Sequence, residues 1–153
     1  MNVVVLAEAS VSDAVAAALS DHTVQTVSSV EATSTVAPPD LFFVSLSVPG
    51  VAAFAATVDI PLIAIADDDT ARDDFCAVLS QPADPEAVRS ALTCAERVID
   101  YQHAVDELYT LCRARAKGNE VSSRKLQEAR SSARERLQAV NRSGIPPLKQ
   151  LLR

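Results

Sequence analysis

The sequence predicts an α/β protein: a doubly wound, parallel, five-stranded sheet followed by a C-terminal α-helical hairpin. Three observations carry the prediction. Apolar runs at Val3–Leu6, Leu41–Val44 and Pro61–Ile65, the first with β-branched residues, show no polar alternation, as expected of strands buried on both faces. Helix-prone segments separate these runs through the first 90 residues, which is what parallel crossovers require. From Pro85 no helix breaker intervenes before Gly118-Asn119, and a second amphipathic stretch follows.

Each element has its own warrant. Val3–Leu6 is the first strand. Ser12–Leu19 is rich in Ala and Leu and favours helix, with Ser10 or Ser12 as the expected N-cap. Residues 23–28 alternate and are β-prone. A weak helix is expected over 30–36, stopped by Pro38-Pro39. Leu41–Val44 forms the next strand, ending before Pro49-Gly50, and an Ala-rich helical segment at 51–58 leads to the strand at Pro61–Ile65. The stretch between Ala66 and Ala77 is short for a full helix and reads as one turn or a loop. Ala77–Leu79 is the last strand, and Asp84-Pro85-Glu86 opens a long helix with proline in its first turn.

Within that helix Val98, Tyr101, Val105, Leu108 and Cys112 recur at spacings of three and four, an apolar stripe. Ser122 or Ser123 caps the second helix, whose stripe is Leu126, Ala129, Ala133, Leu137 and Val140. Two amphipathic helices joined by a short glycine-containing turn make an αα-hairpin. Ser143-Gly144 and Pro146-Pro147 end it. In a doubly wound sheet the ligand crevice lies at the carboxyl ends of the strands, here near Ala7–Ala9, Ser45–Val48 and Ala66–Asp69.

Composition narrows the function classes. No run of about 18 apolar residues exists, so no membrane helix is expected, and no signal-peptide pattern is present. The expected location is the cytoplasm. Three widely spaced cysteines, Cys76, Cys94 and Cys112, do not form a disulfide framework and read as buried small apolar residues. The net charge of −6 conceals a split: residues 1–112 carry 17 acidic and 3 basic side chains, whereas residues 113–153 carry 3 acidic and 11 basic ones. Two parts with different tasks are implied.

Two family resemblances rest on specific segments. Asp40-Leu-Phe-Phe-Val-Ser-Leu-Ser-Val-Pro-Gly50 resembles the phosphorylation-site strand of response-regulator receiver domains, which reads D-L-V-L-L-D-L-M-M-P-G. Ile60-Pro-Leu-Ile-Ala-Ile-Ala66 resembles that family's fourth strand, I-P-V-I-M-L-T, and Val78-Leu-Ser-Gln-Pro-Ala-Asp-Pro-Glu86 its Y-L-T-K-P-F-D-P-E segment. Residues 97–117 resemble the start of the HalX domain, R-x-x-Y-x-x-x-L-x-E-x-F-x-L, which follows receivers in regulators of halophilic archaea. The resemblance implies a CheY- or flavodoxin-like receiver at 1–95, a HalX-like helical hairpin at 96–142, and a short tail at 143–153.

The departures from the family carry more functional weight than the matches. The position of the receiver's phosphoacceptor aspartate is Ser45, and a serine hydroxyl, unlike a carboxylate, needs an activating base. The acidic pair that holds Mg²⁺ is replaced by Ala7-Glu8, one carboxylate where Mg²⁺ usually takes two or more hard oxygen ligands. The switch hydroxyl is Ala66, and the lysine before the proline is Gln81, which removes the neutralising point charge. The resemblance, with these changes, implies a pseudo-receiver without phosphoryl chemistry.

Other candidates are weaker. Asp67, Asp68, Asp69, Asp73 and Asp74 form an acidic cluster without EF-hand spacing or its glycine, and read as a solvated face. His22, in a turn, and His103, on the polar flank of the first hairpin helix, are isolated from other ligand types. The absence of G-x-G-x-x-G, P-loop and G-x-S-x-G motifs leaves no named nucleophile or cofactor cradle. No enzyme activity, cofactor or metal is expected.

The basic hairpin holds the most functional content. Arg113, Arg115, Lys117, Arg124, Lys125, Arg130, Arg134, Arg136 and Arg142 line its turn and second helix, and Arg130, Arg134 and Lys125 are expected near one another. These charges either solvate the hairpin and face an acidic protein surface, or contact nucleic-acid phosphates. The leading expectation is a non-catalytic regulatory module. Its hairpin binds a protein partner or a second copy through Val98, Tyr101, Val105 and Leu108. Binding of DNA through the basic residues is the alternative.

Overall fold

A computed structural model describes residues 1–67 and 74–142. The described chain forms two compact units, whose boundary falls after Ala95.

The first unit is built on one sheet. Its strands are β1 (Asn2–Leu6), β2 (Thr23–Val27), β3 (Leu41–Ser45), β4 (Leu62–Ala66) and β5 (Ala77–Ser80), all parallel, in the order β2-β1-β3-β4-β5. The strands most apolar in sequence lie in the middle. Every residue of β3 and β4 is buried, whereas β2, which alternates, is half-exposed at one edge.

The register explains the pattern. Val4, Phe42 and Leu62 stand in one cross-strand row, and Leu6, Val44 and Ala64 in the next. These rows form one face of the sheet and pack with Val48, Val51, Ala55 and Phe75. The Phe42 and Phe54 rings meet edge to face at 5.2 Å, a geometry favoured by the ring quadrupoles. The alternate residues Val3, Val5, Leu41, Phe43, Ile63 and Ile65 project to the other face and are also fully buried. Both faces are covered, so an apolar run rather than alternation is what the middle strands require.

The connections explain themselves locally. Helix α1 (Ala9–Ala18) starts earlier than its composition suggests, with Glu8 in extended backbone as N-cap and no side-chain cap. The expected Ser10 or Ser12 cap is corrected: Ser12 lies inside the helix, buried, and its hydroxyl donates to the Ala7 carbonyl at 3.3 Å. The weak helix at 30–36 is a 3₁₀ segment, Glu31–Thr35. The hydroxyls of Thr33, Ser34 and Thr35 each donate to the carbonyl three residues back, competing with α-helical bonding. Gly50, at φ +83°, caps α2 (Val51–Thr57) in a left-handed conformation.

The second unit contains the C-terminal part of α3 (Pro85–Ala116) and α4 (Ser123–Arg142). Helix α3 ends in a Schellman motif: the Asn119 N–H donates to the Ala114 carbonyl and the Gly118 N–H to the Arg115 carbonyl, with Gly118 at φ +82°. Ser122 caps α4, its hydroxyl accepting the Lys125 N–H at 3.1 Å. Buried on these helices are Val98, Tyr101 and Ala104, and Leu126, Ala129, Ala133 and Val140. Val105, Leu108 and Leu137 are only half-buried. Among the described residues, no helix is long and apolar enough to cross a membrane.

Candidate functional site

The parallel sheet directs the carboxyl ends of β3, β4 and β5 toward one edge, and an open cleft of about 240 Å³ lies there. Two backbone hydrogen bonds hold its rim. The Leu46 N–H donates to the Ile65 carbonyl, and the Gln81 N–H donates to the Ala66 carbonyl. Ser45, Ser47, Ala66, Asp67 and Gln81 line it. The predicted crevice is therefore present at the β3 and β4 ends. It is smaller than the roughly 300–1,000 Å³ of small-molecule pockets.

Three of the five sequence-derived positions, Ser45, Ala66 and Gln81, come together at this cleft, although they are 36 residues apart in sequence at the extremes. Ala7 and Glu8 are not among its lining. Ala7 is buried and its carbonyl accepts the Ser12 hydroxyl, while Glu8 is exposed at the start of α1.

Ser47 lies within the expected crevice segment Ser45–Val48, but sequence reasoning gave it no role. Ser45 is 1% exposed, and its hydroxyl lies 2.7 Å from that of Ser47, which is exposed. The S-x-S spacing was the available signal, since side chains at i and i+2 share a side of extended chain. A buried serine hydroxyl bonded to a second hydroxyl has its polar group satisfied, and that partner is a hydroxyl rather than a base that would activate it. Asp67, read from sequence as part of a solvated acidic face, supplies the carboxylate among the lining residues and is itself exposed. Asp68, Asp69 and Asp73 of that acidic cluster, and the short segment around them, lie outside the described residues. Among the described residues no group of three His, Cys, Asp or Glu side chains could hold a metal ion.

The helical unit has a second, smaller cleft of about 150 Å³. Asp100, His103 and Glu107 of α3 line it with Ser132 and Arg136 of α4. Arg136 spans it, with Nη1 3.2 Å from Asp100 Oδ2 and Nε donating to Ser132 Oγ at 3.4 Å. His103 is exposed, as its flank position implied, and His22 is half-buried after α1, its N–H donating to the Leu19 carbonyl.

The basic residues of α3 and α4, Arg113, Arg115, Lys117, Arg124, Lys125, Arg130, Arg134, Arg136 and Arg142, are all exposed. Arg113 lies over the Tyr109 ring at 5.6 Å, and Arg124 pairs with Glu128 at 3.0 Å. The grouping of Lys125 with Arg130 and Arg134 is corrected. A five-residue step turns an α-helix by about 140° past a full turn, so Lys125 projects from a different side.

The cysteines also divide. Cys76 is buried, Cys94 half-buried and Cys112 exposed, so the expectation of three buried thiols fails at Cys112, which lies beyond the buried part of the α3 stripe. Burial pushes the Cys76 thiol up from 9.0 to about 11, against a smaller lowering by its backbone hydrogen bond with Leu62. Comparison with protein-family models and with curated proteins gives no significant match to this chain.

Proposed function

We propose that the protein is a non-catalytic signal-transduction or transcription-regulatory module. Its first unit is a pseudo-receiver of doubly wound, flavodoxin-like type, and its second is a HalX-like helical hairpin that docks a protein partner or a second copy. The carrying observation is the composition of the cleft at the strand ends. Ser45, Ala66 and Gln81 meet there, at the positions where the receiver pattern places an aspartate, a hydroxyl and a lysine.

Chemistry supports this reading. Forming an acyl phosphate requires an ionised carboxylate nucleophile, and Ser45 offers a buried hydroxyl engaged by Ser47. Among the described residues Asp67 is the carboxylate that lines the cleft, and Gln81 stands where a lysine would offset the phosphoryl charge. A module of this kind transmits information by what binds its surface. The half-buried Val105 and Leu108, continuing the stripe of Val98 and Tyr101, supply apolar surface for docking. On this reading the protein is cytoplasmic and needs no cofactor.

The test is incubation with acetyl phosphate and Mg²⁺ followed by intact-mass measurement. The expected spectrum shows only the unmodified chain. A stable adduct of one phosphoryl group that disappears in Ser45→Ala overturns the reading.

A further inference from the structure

We infer that α4 carries a docking face for the phosphate backbone of a nucleic-acid duplex, an inference independent of the pseudo-receiver reading. The helix divides by angle. At about 100° per residue, the buried Leu126, Ala129, Ala133 and Val140 occupy one side. Adjoining them, Arg130, Arg134, Gln127, Gln138, Arg124 and Arg142 fall within an arc of about 120°, and all six are exposed.

The arc contains no carboxylate. The two acidic residues of α4, Glu128 and Glu135, fall just beyond its edge. Among the described residues Arg130 and Arg134 have no carboxylate partner. Arg124 reaches across to Glu128, but both side chains are largely exposed, at 89% and 64%, and such a pair exchanges readily for another anion. From Arg124 to Arg142 the face runs about 27 Å along the axis, at 1.5 Å per residue. Cations spread over that length suit a rod of repeating charge better than a point ligand.

The choice of nucleic acid over an acidic protein rests on what lies between the arginines. A protein interface needs apolar or aromatic anchors at its centre, and this arc has none. Its neutral members are the amides Gln127, Gln138 and Asn141 and the hydroxyls Ser123 and Ser131, which with arginine are common donors to phosphate oxygens and base edges. The choice of a duplex over a single strand rests on the absence of any aromatic side chain on α4 for base stacking. Affinity on such a face comes from releasing condensed counterions.

The test uses the full chain and a labelled DNA duplex of about two helical turns and arbitrary sequence, read by fluorescence anisotropy from about 50 to 200 mM salt. Binding is expected to weaken steeply with salt. Arg130→Gln/Arg134→Gln, with helicity checked by circular dichroism, makes the slope of log K against log salt shallower by about 1.8. Lys125→Gln, off the arc, leaves the slope unchanged. Lack of binding at about 50 mM salt, an unchanged slope in the double variant, or an equal loss in Lys125→Gln overturns the inference. So does tighter binding of poly-glutamate than of the duplex, which would reassign the face to an acidic protein.

Discussion

Ser45, 1% exposed at the end of β3, has its hydroxyl 2.7 Å from that of Ser47, an exposed residue. A polar group buried at the floor of the cleft is thus satisfied by one that reaches water. The pair sets what the position tolerates.

Ser45→Ala removes both a hydrogen bond and the need for it, and leaves Ser47 free to bond to solvent. We expect a loss of about 1 kcal/mol or less in urea unfolding. Ser45→Asp is expected to cost more at pH 7, because the site must take up a desolvated charge. Burial raises a carboxyl's pKa in the folded state. The folded variant then holds its proton to higher pH than the unfolded chain, and its deficit narrows on acidification. A deficit that stays constant between pH 7 and 4 contradicts this.

The middle of the sheet was legible in sequence because burial on both faces leaves a continuous apolar run. Val3–Leu6, Leu41–Val44 and Pro61–Ile65 all carry that mark, and each holds a strand, the third starting at Leu62 rather than Pro61. Helix starts were less legible. Ser12 has the side chain of a cap, yet α1 begins at Ala9 because the extended backbone at Glu8 already starts the helix and the Ser12 hydroxyl bonds to Ala7 instead. Ser122 and Gly118 behaved as their types suggest, since little tertiary packing competes at an exposed turn. The strand-end crevice was legible from the doubly wound pattern, whereas Ser45, Ala66 and Gln81 were singled out only by the resemblance to the receiver pattern. Exposure of Cys112 was not, because a helical stripe shows phase and not how far along the helix the partner surface extends.

Asp100 and Arg136 form an ion pair at 3.2 Å with side chains 60% and 45% exposed. At that exposure Coulombic gain is screened and offset by side-chain ordering. A double-mutant cycle with Asp100→Asn and Arg136→Gln is expected to give a coupling below about 1 kcal/mol. It should fade toward zero at about 1 M salt, where the Debye length shrinks to about 3 Å. A coupling of several kcal/mol that survives such salt would show the small cleft to be far drier than its exposure implies.

The three thiols differ in access. An aromatic disulfide reagent at neutral pH is expected to label exposed Cys112 first, and buried Cys76 only on unfolding. The Cys76 shift also has a stability consequence. Its pKa is about 11 when folded against 9.0 as its ordinary value, so below pH 9 both states are protonated and the stabilisation is whole. Between about pH 9 and 11 the unfolded chain alone loses the proton, and stability falls by about 2–3 kcal/mol. Denaturant titrations should show this decline in the native chain and lose it in Cys76→Ala, whatever baseline stability the variant has. Rapid labelling of native Cys76 at pH 7 would contradict both expectations.

Gly118 separates backbone strain from packing with unusual clarity. Its φ is +82°, and a Cβ built there meets no atom within 4 Å. Any cost of Gly118→Ala therefore comes from holding an L-residue in left-handed backbone, about 1–2 kcal/mol. Asparagine tolerates that region better than alanine, so Gly118→Asn is expected to lose less than Gly118→Ala. Gly50, at φ +83° with Val30 Cγ2 3.8 Å from its would-be Cβ, gives an internal comparison. Because contact at that distance is ordinary, Gly50→Ala should lose a similar amount. The measurement is urea unfolding of all three variants. If Gly118→Ala is as stable as the native chain, the left-handed C-terminal cap of α3 is not maintained in solution, and the Schellman bonds from Gly118 and Asn119 are not what ends the helix.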